Sequence, residues 1–363
     1  MSLLNEILSN GEKSTAFYRI ENNDGKVWLM PVCGLRTAMN LYQPSGRKGK
    51  LLKKWFPLLH RVPKLKQILH VETIRCGLNR ELDNKLCQLF CTDVLEFAVF
   101  CGTPCVHQKL TIQISLGQKI LGYCKISDNK DVVELFCRES LLLRELDNAG
   151  VNNVPKILYI GEWRNGVHML LQTTQKTNRS QVIHEWGQLH DDFLRDMAAK
   201  TKQCLFFEET DYCRTLNELS SHLDWLPTDE DKVLVRKALV KVFKKNEHKM
   251  VEYGAYHADF TPWNMFEEQG KLFVFDWEYA QMTYPPMLDR YHFFTQTAIF
   301  EKHWQAKEIM EYTQSTEGNW IDAIVYKLYL LDIIARFTIR EKGNISGDVA
   351  HSMNIWIELL KRL

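Results

Sequence analysis

No stretch of this 363-residue sequence is both long and apolar enough to cross a bilayer. The nearest run, Ile321 to Phe337, is interrupted by Asp322, Lys327, Asp332 and Arg336 and reads as a buried helix. The opening residues, Met1-Ser2-Leu3-Leu4-Asn5-Glu6, lack a basic segment followed by an apolar one, so no secretory signal is expected. Internal repeats and low-complexity tracts are also missing, which excludes solenoids and fibrous arrays. Acid is missing from one window. Between Asp24 and Glu72 there is no Asp or Glu, while Lys26, Arg36, Arg47, Lys48, Lys50, Lys53, Lys54, Arg61, Lys64 and Lys66 all fall there. Net charge is only +1, so a basic segment is carried on a mildly acidic body.

Ten cysteines without an export signal point to reduced thiols and a cytoplasmic setting. Cys87 with Cys91, and Cys101 with Cys105, are not at the spacing usual for structural zinc and read as small buried hydrophobes. Ala16–Ile20 and Lys26–Met30 flank Asn23-Asp24-Gly25 and predict a hairpin. The basic segment follows, interleaved with Leu51, Leu52, Trp55, Phe56, Leu58 and Leu59 and punctuated by Pro57 and Pro63. Three strand-like runs come next, Val94 to Phe100, Lys109 to Ser115 and Lys119 to Ile126. A helix from about Asp131 to Ala149, capped by Asp128 or Asp131, leads to strands at Lys156–Tyr159 and Val167–Leu171. These make a small β-lobe with one helix packed on it. Beyond residue 180 the pattern is helical, at Val182–Lys202, Leu216–Leu226, Asp229–Lys245, Trp304–Tyr312, Trp320–Ile339 and Asp348–Leu360, with a β-rich island from Ala255 to Ala280.

The island carries the chemistry. It reads His257-Ala258-Asp259-Phe260-Thr261-Pro262-Trp263-Asn264, then an apolar strand that ends abruptly in Asp276-Trp277-Glu278. Phosphoryl transfer needs hard oxygen ligands for a divalent metal and a carboxylate that takes the acceptor's proton. Asp276 and Asn264 suit the first task and Asp259 the second. A nucleotide phosphate also needs a cation on a rigid strand. Lys125 shares a face with Leu121 and Tyr123. Glu139 lies seven residues after Val132, inside the helix's apolar stripe of Val132, Leu135, Phe136, Leu142, Leu143 and Leu146. A carboxylate there is costly unless paired, and Lys125 is its natural partner.

Taken together, Lys125, Glu139, His257-Ala258-Asp259 with Asn264, and Asp276-Trp277-Glu278 resemble the aminoglycoside phosphotransferase/choline kinase branch of the protein-kinase-like superfamily. The resemblance covers roughly residues 92 to 300. It implies an α+β, two-lobed protein-kinase-like fold: a small antiparallel β N-lobe with one helix, a larger and mainly helical C-lobe, and ATP in the cleft between them. The domains expected are an N-terminal extension over 1–91, the N-lobe over 92–172 and the helical C-lobe over 173–363. By this resemblance Asp259 is the catalytic base and His257 supports its loop. Lys125 holds the α- and β-phosphates, and Glu139 orients it. Asn264 and Asp276 bind Mg²⁺, and Glu278 assists at the metal or the substrate. Gln172 and Thr173 lie in the hinge that takes adenine, and Asp289, in Pro285-Pro286-Met287-Leu288-Asp289, braces the catalytic loop. The sequence departs from the family at Ala258, where Gly is usual, and in its phosphate-covering loop, where only Gly102 and Thr103 are available.

The expected activity is an ATP- and Mg²⁺-dependent phosphotransferase. Only Tyr279 to Tyr284 separate the acidic motif from Pro285, too short a segment for a peptide-docking platform, so a hydroxyl of a small molecule is the expected acceptor. A sugar or cell-surface glycan precursor and an aminoglycoside- or choline-type substrate both stand, as does a catalytically silent nucleotide-binding regulator. Residues 47–66 suit an anionic membrane surface, with the enzyme peripheral at its inner face. No nucleic-acid partner is expected.

Overall fold

The computed structural model describes residues 3–11, 13–22, 24–44, 47–62, 71–102 and 108–363. It divides into two compact units. One comprises Met1–Asn148, Asn152–Val182 and Phe266–Glu278; the other comprises Ala149–Val151, Ile183–Met265 and Tyr279–Leu363.

The first unit is built on strands β1 (Leu8–Ser9), β2 (Thr15–Glu21), β3 (Val27–Pro31), β4 (Glu72–Leu78), β5 (Glu96–Phe100), β6 (Leu110–Leu116), β7 (Lys119–Ser127), β8 (Ile157–Arg164) and β9 (Val167–Thr173). They form one nine-stranded sheet in the order β1-β4-β2-β3-β5-β6-β7-β9-β8, with every described pairing antiparallel. The early hairpin is therefore no appendage. β3 pairs with β5 through Trp28↔Phe100 and Leu29↔Val99, so the sheet runs on across residue 91. Helix α1 (Leu3–Ile7) leads into β1, and α2 (Leu35–Ala38) and α3 (Arg47–Leu59) follow β3. Helix α4 (Arg80–Phe90) buries Leu82 and Leu86 among Phe17, Leu29, Val99, Ile112 and Ile126 of the sheet. Phe56 of α3 packs on the opposite face with Tyr18, Trp28 and Met30.

Helix α5 (Lys130–Asn148) packs Val132 and Phe136 onto Leu170 of β9. Its start is capped by Asn129, whose Oδ1 accepts from the backbone N–H of Asp131 and Val132, and not by either aspartate expected from sequence. The short hairpin β12 (Met265–Glu268) and β13 (Lys271–Val274) also packs with this unit from residue 266 on, tied by Val274 N–H to the Asn153 carbonyl.

The second unit holds a three-stranded sheet, β10 (Gln203–Phe206), β11 (Met250–Tyr256) and β14 (Gln281–Tyr284), with β11 central. Around it stand α6 (Gln188–Thr201), α7 (Asp211–Ser221), α8 (Asp229–Asn246), α9 (Leu288–Phe300), α10 (Ala306–Thr313), α11 (Ala323–Arg340) and α12 (Gly347–Arg362). Their core is aromatic and aliphatic, with Tyr256, Tyr284, Tyr326, Tyr329, Leu330 and Trp356 fully enclosed. Helix α9 escapes a periodicity search because it is buried on nearly all sides, from Leu288 to Ile299. No described helix is long and apolar enough to cross a membrane.

Candidate active site

Strand β7 sits between β6 and β9, which makes it a rigid mount. Lys125 is opposite Leu170 in the ladder, on the face that α5 covers. Two helical turns beyond Val132, Glu139 therefore arrives beneath the lysine. Lys125 Nζ donates to Glu139 Oε1 at 2.9 Å and Oε2 at 2.7 Å, and to Asp276 Oδ1 at 2.6 Å. Glu139 is fully buried and saturated: its Oε1 also accepts from the Gln172 amide at 2.9 Å and from the Trp277 backbone N–H at 3.2 Å. Burial alone would lower the Lys125 pKa; the Asp276 and Glu139 carboxylates hold it above the usual lysine value. The ammonium is thus kept charged in a site where an isolated lysine would shed its proton.

Asp276 has φ of 68°, a left-handed backbone rarely taken outside glycine, just after the apolar strand β13. Its carboxylate lies 3.8 Å from Lys109 Nζ, and Lys109 also pairs with Glu278. Burial pushes the Glu278 carboxyl up despite that lysine, while Asp276 and Glu278 hold Lys109 above the normal lysine range against its own burial. Glu139, Asp276 and Glu278 can each present an oxygen within 4.8 Å of the others. Hard carboxylate oxygens of this kind are what Mg²⁺ takes.

The expected nucleotide residues are placed as follows. Gly102 has φ of 77°, and a Cβ on it would meet the Lys109 carbonyl at 2.4 Å, so only glycine fits. Thr103 lies outside the described residues. Gln172 is paired on both sides, to Tyr123 and Ile157, and spends its side chain on Glu139. The Thr173 N–H is taken by the Lys156 carbonyl. Just beyond, Lys176 Nζ lies 5.4 Å from the Phe266 ring centroid and 5.9 Å from that of Phe275. Burial pushes its ammonium down to about 7, with nearby Lys53 adding repulsion.

In the second unit, β11 delivers His257-Ala258-Asp259. Asp289, at the start of α9, accepts from the backbone N–H of His257 at 2.9 Å and of Ala258 at 3.1 Å. Burial pushes its carboxyl up to about 7, with those two hydrogen bonds and Arg336 pulling the other way. Ala258 has φ of 70°, which is why a glycine suits this position, and Arg336 binds its carbonyl. His257 is fully buried and accepts the Asp259 N–H at Nδ1, 3.1 Å away. The Asp259 carboxylate is gripped at both oxygens: Asn264 Nδ2 donates to Oδ2 at 2.7 Å, and His292 Nε2 lies 3.2 Å from Oδ1. Burial lowers the His292 pKa, so the ring is neutral and acts as a donor. Beside the loop, Trp186 stacks on His190 at 5.0 Å, and the Arg290 guanidinium lies 5.4 Å from Trp186 and 4.3 Å from Trp320.

The structure thus brings Lys125, Glu139, Asp276 and Glu278 together in one unit, and His257, Asp259, Asn264 and Asp289 in the other. Sequence reasoning missed Lys109 and His292. His292 lies three residues after Asp289 on α9, a spacing that shares a face, but the helix itself was not legible.

Among solved structures, a thermostable mutant of an aminoglycoside phosphotransferase, in ternary complex with AMP-PNP and hygromycin B, matches with a TM-score of 0.52 at 16% identity, over 78% of this chain and 98% of that one. A ternary complex with ADP and hygromycin B matches with a TM-score of 0.51 at 15% identity, over 77% and 98%. The sequence matches no family model and no curated protein. The likeness is one of fold, and this chain has the protein-kinase-like fold of these phosphotransferases.

Proposed function

We propose that the chain is an ATP- and Mg²⁺-dependent phosphotransferase that moves the γ-phosphoryl group onto a hydroxyl of a small molecule. The observation that carries this reading is the network of Lys125, Glu139, Gln172 and Asp276, which keeps one ammonium charged, together with the gathering of carboxylate oxygens from Glu139, Asp276 and Glu278 within 4.8 Å of one another. Buried charges of this kind are costly, and such clusters concentrate at functional sites. Lys125 holds the α- and β-phosphates, and Glu139 fixes its position. Gly102, where no side chain fits, borders the phosphates, and the backbone after Thr173 receives the base.

Mg²⁺ would be held by Asp276 and Glu278, and when bound it offsets charge on the phosphates. Asp259 accepts the proton of the attacking hydroxyl as the new O–P bond forms and the bond to the ADP oxygen breaks. Asn264 and His292 orient its carboxylate for that task, and His257 with Asp289 holds the loop.

The nucleotide and hygromycin B held by the matching structures support a nucleotide and a small-molecule acceptor here. Sugars and glycan precursors are the first acceptor class, and aminoglycosides and amino alcohols such as choline the second. The test is ADP release from Mg-ATP across panels of these compounds, beside Asp259→Asn. Transfer to one class, cut about 10²- to 10⁴-fold in the variant while Mg-ATP still binds, supports the reading. Equal transfer in the variant and the parent would remove Asp259 from the chemistry, and transfer to none of the compounds would leave only a nucleotide-binding protein.

A further inference from the structure

Among the described residues, helix α3 (Arg47–Leu59) packs onto the sheet through Phe56 and Leu52. Phe56 is buried among Tyr18, Trp28 and Met30, and the His60 ring just past the helix meets the Tyr18 hydroxyl at 3.0 Å. The inward contacts are thereby accounted for. On the other side Leu51, Trp55, Leu58 and Leu59 recur at i, i+4, i+7 and i+8, a continuous helical stripe, and Val62 follows in the next turn. All five are between 43% and 70% exposed. Single exposed apolar residues are ordinary, but an aligned row on one helix is not.

The row is bordered by exposed Lys50, Lys54 and Arg61, and Lys54 Nζ lies 5.5 Å from the Trp55 ring centroid. In sequence, no acid occurs between Asp24 and Glu72, and α3 itself carries none. We propose that the outer face of α3 is a docking surface for an anionic lipid bilayer, on which the helix lies flat with its leucine row in the acyl boundary and its lysines at the headgroups.

Charge and shape single out this partner. A helix of 13 residues is about 20 Å long, long enough to lie in an interface but not to span one. A nucleic acid would satisfy the lysines and leave four aliphatic side chains with nothing to gain. A second copy of the chain would bring the same acid-free border against this one, with no carboxylate on α3 to pair with it. Trp55 is suited to the boundary layer, where an aromatic ring can stay apolar at its body and wet at its edge.

The proposal does not rest on phosphoryl transfer, and its test does not use it. The full chain is sedimented with vesicles of phosphatidylcholine alone and with vesicles in which part is replaced by phosphatidylglycerol, beside Leu51→Asp/Leu58→Asp. Both positions are exposed, and an unchanged melting curve establishes that the variant is folded. The parent should partition onto the anionic vesicles, release in high salt, and lose about tenfold or more in partition for each leucine removed. Brominated lipid should quench the parent's fluorescence more than that of Trp55→Phe. Equal partition of parent and double variant, or none onto either vesicle, overturns the proposal. So does a parent dimer that the double variant converts to monomer, which would assign the row to a second copy.

Discussion

His292 Nε2 lies 3.2 Å from Asp259 Oδ1, and the histidine's other ring nitrogen meets the Tyr329 hydroxyl at 3.4 Å. A buried, neutral imidazole thus orients the carboxylate assigned the role of base, with Asn264 on the other oxygen. Replacing it with Phe removes the donor and keeps a ring in the space. The kcat for the identified acceptor should fall by about tenfold or more, since a hydrogen bond to a charged group contributes about 1.5–3 kcal/mol. The ionised carboxylate loses a donor, so the acid limb of the pH–rate profile should move to higher pH. His292→Gln, which can still donate, should recover part of both effects.

Lys125 and Glu139 test the cluster in the first unit. Lys125→Ala leaves Glu139 enclosed with its charge uncompensated, and breaking a buried pair from one side costs about 3–5 kcal/mol. Denaturant unfolding should show a loss of that order together with loss of Mg-ATP binding. Lys125→Ala/Glu139→Gln should regain much of the stability and none of the binding. If the single variant is as stable as the parent, the pair is not buried as described.

Lys109 sits against both Asp276 and Glu278 and so competes with any divalent ion for the same oxygens. Lys109→Met should raise affinity for Mn²⁺ in the absence of nucleotide, read by the paramagnetic signal of the free ion. Unchanged Mn²⁺ affinity would separate Lys109 from the metal carboxylates.

Asp289 gives a stability signature with a defined sign. Its folded pKa is raised to about 7 against an ordinary 3.8, so the folded state holds the proton more tightly than the unfolded state. This contribution is fully present below the unfolded value and is lost as pH rises through about 7, with a slope of at most about 1.4 kcal/mol per pH unit. Asp289→Asn should be less stable, because its amide puts one acceptor oxygen and an NH₂ donor where two oxygens face the His257 and Ala258 N–H groups. Its stability should also fall less steeply than the parent's between pH 5 and 8. Parallel curves would contradict the assignment.

What could be read from sequence was what is local or periodic. Lys125 was found from the two-residue period of β7, and Glu139 from its place in the α5 stripe; their contact followed because an unpaired carboxylate in that stripe is untenable. The catalytic-loop residues were legible because they are contiguous. Pairings set by distant parts of the chain were not. The bonding of β3 to β5, which joins β1 to β4 to the later strands, leaves no mark in either strand alone. Lys109 reaches Glu278 from 169 residues away, and nothing in its own strand marks that partner. His292 was hidden because α9 is apolar on nearly every side and shows no stripe. The cap of α5 went to Asn129 because its side chain sits where two N–H groups can be reached at once.

The central claim is most directly tested by the thermal shift of the protein with Mg-ATP, beside Asp276→Ala. At a ligand concentration about 100 times its dissociation constant, binding should stabilise the parent by about 2.7 kcal/mol. The account predicts a shift that needs both metal and nucleotide and that the variant loses. No shift at millimolar Mg-ATP, or an equal shift in the variant, would contradict it.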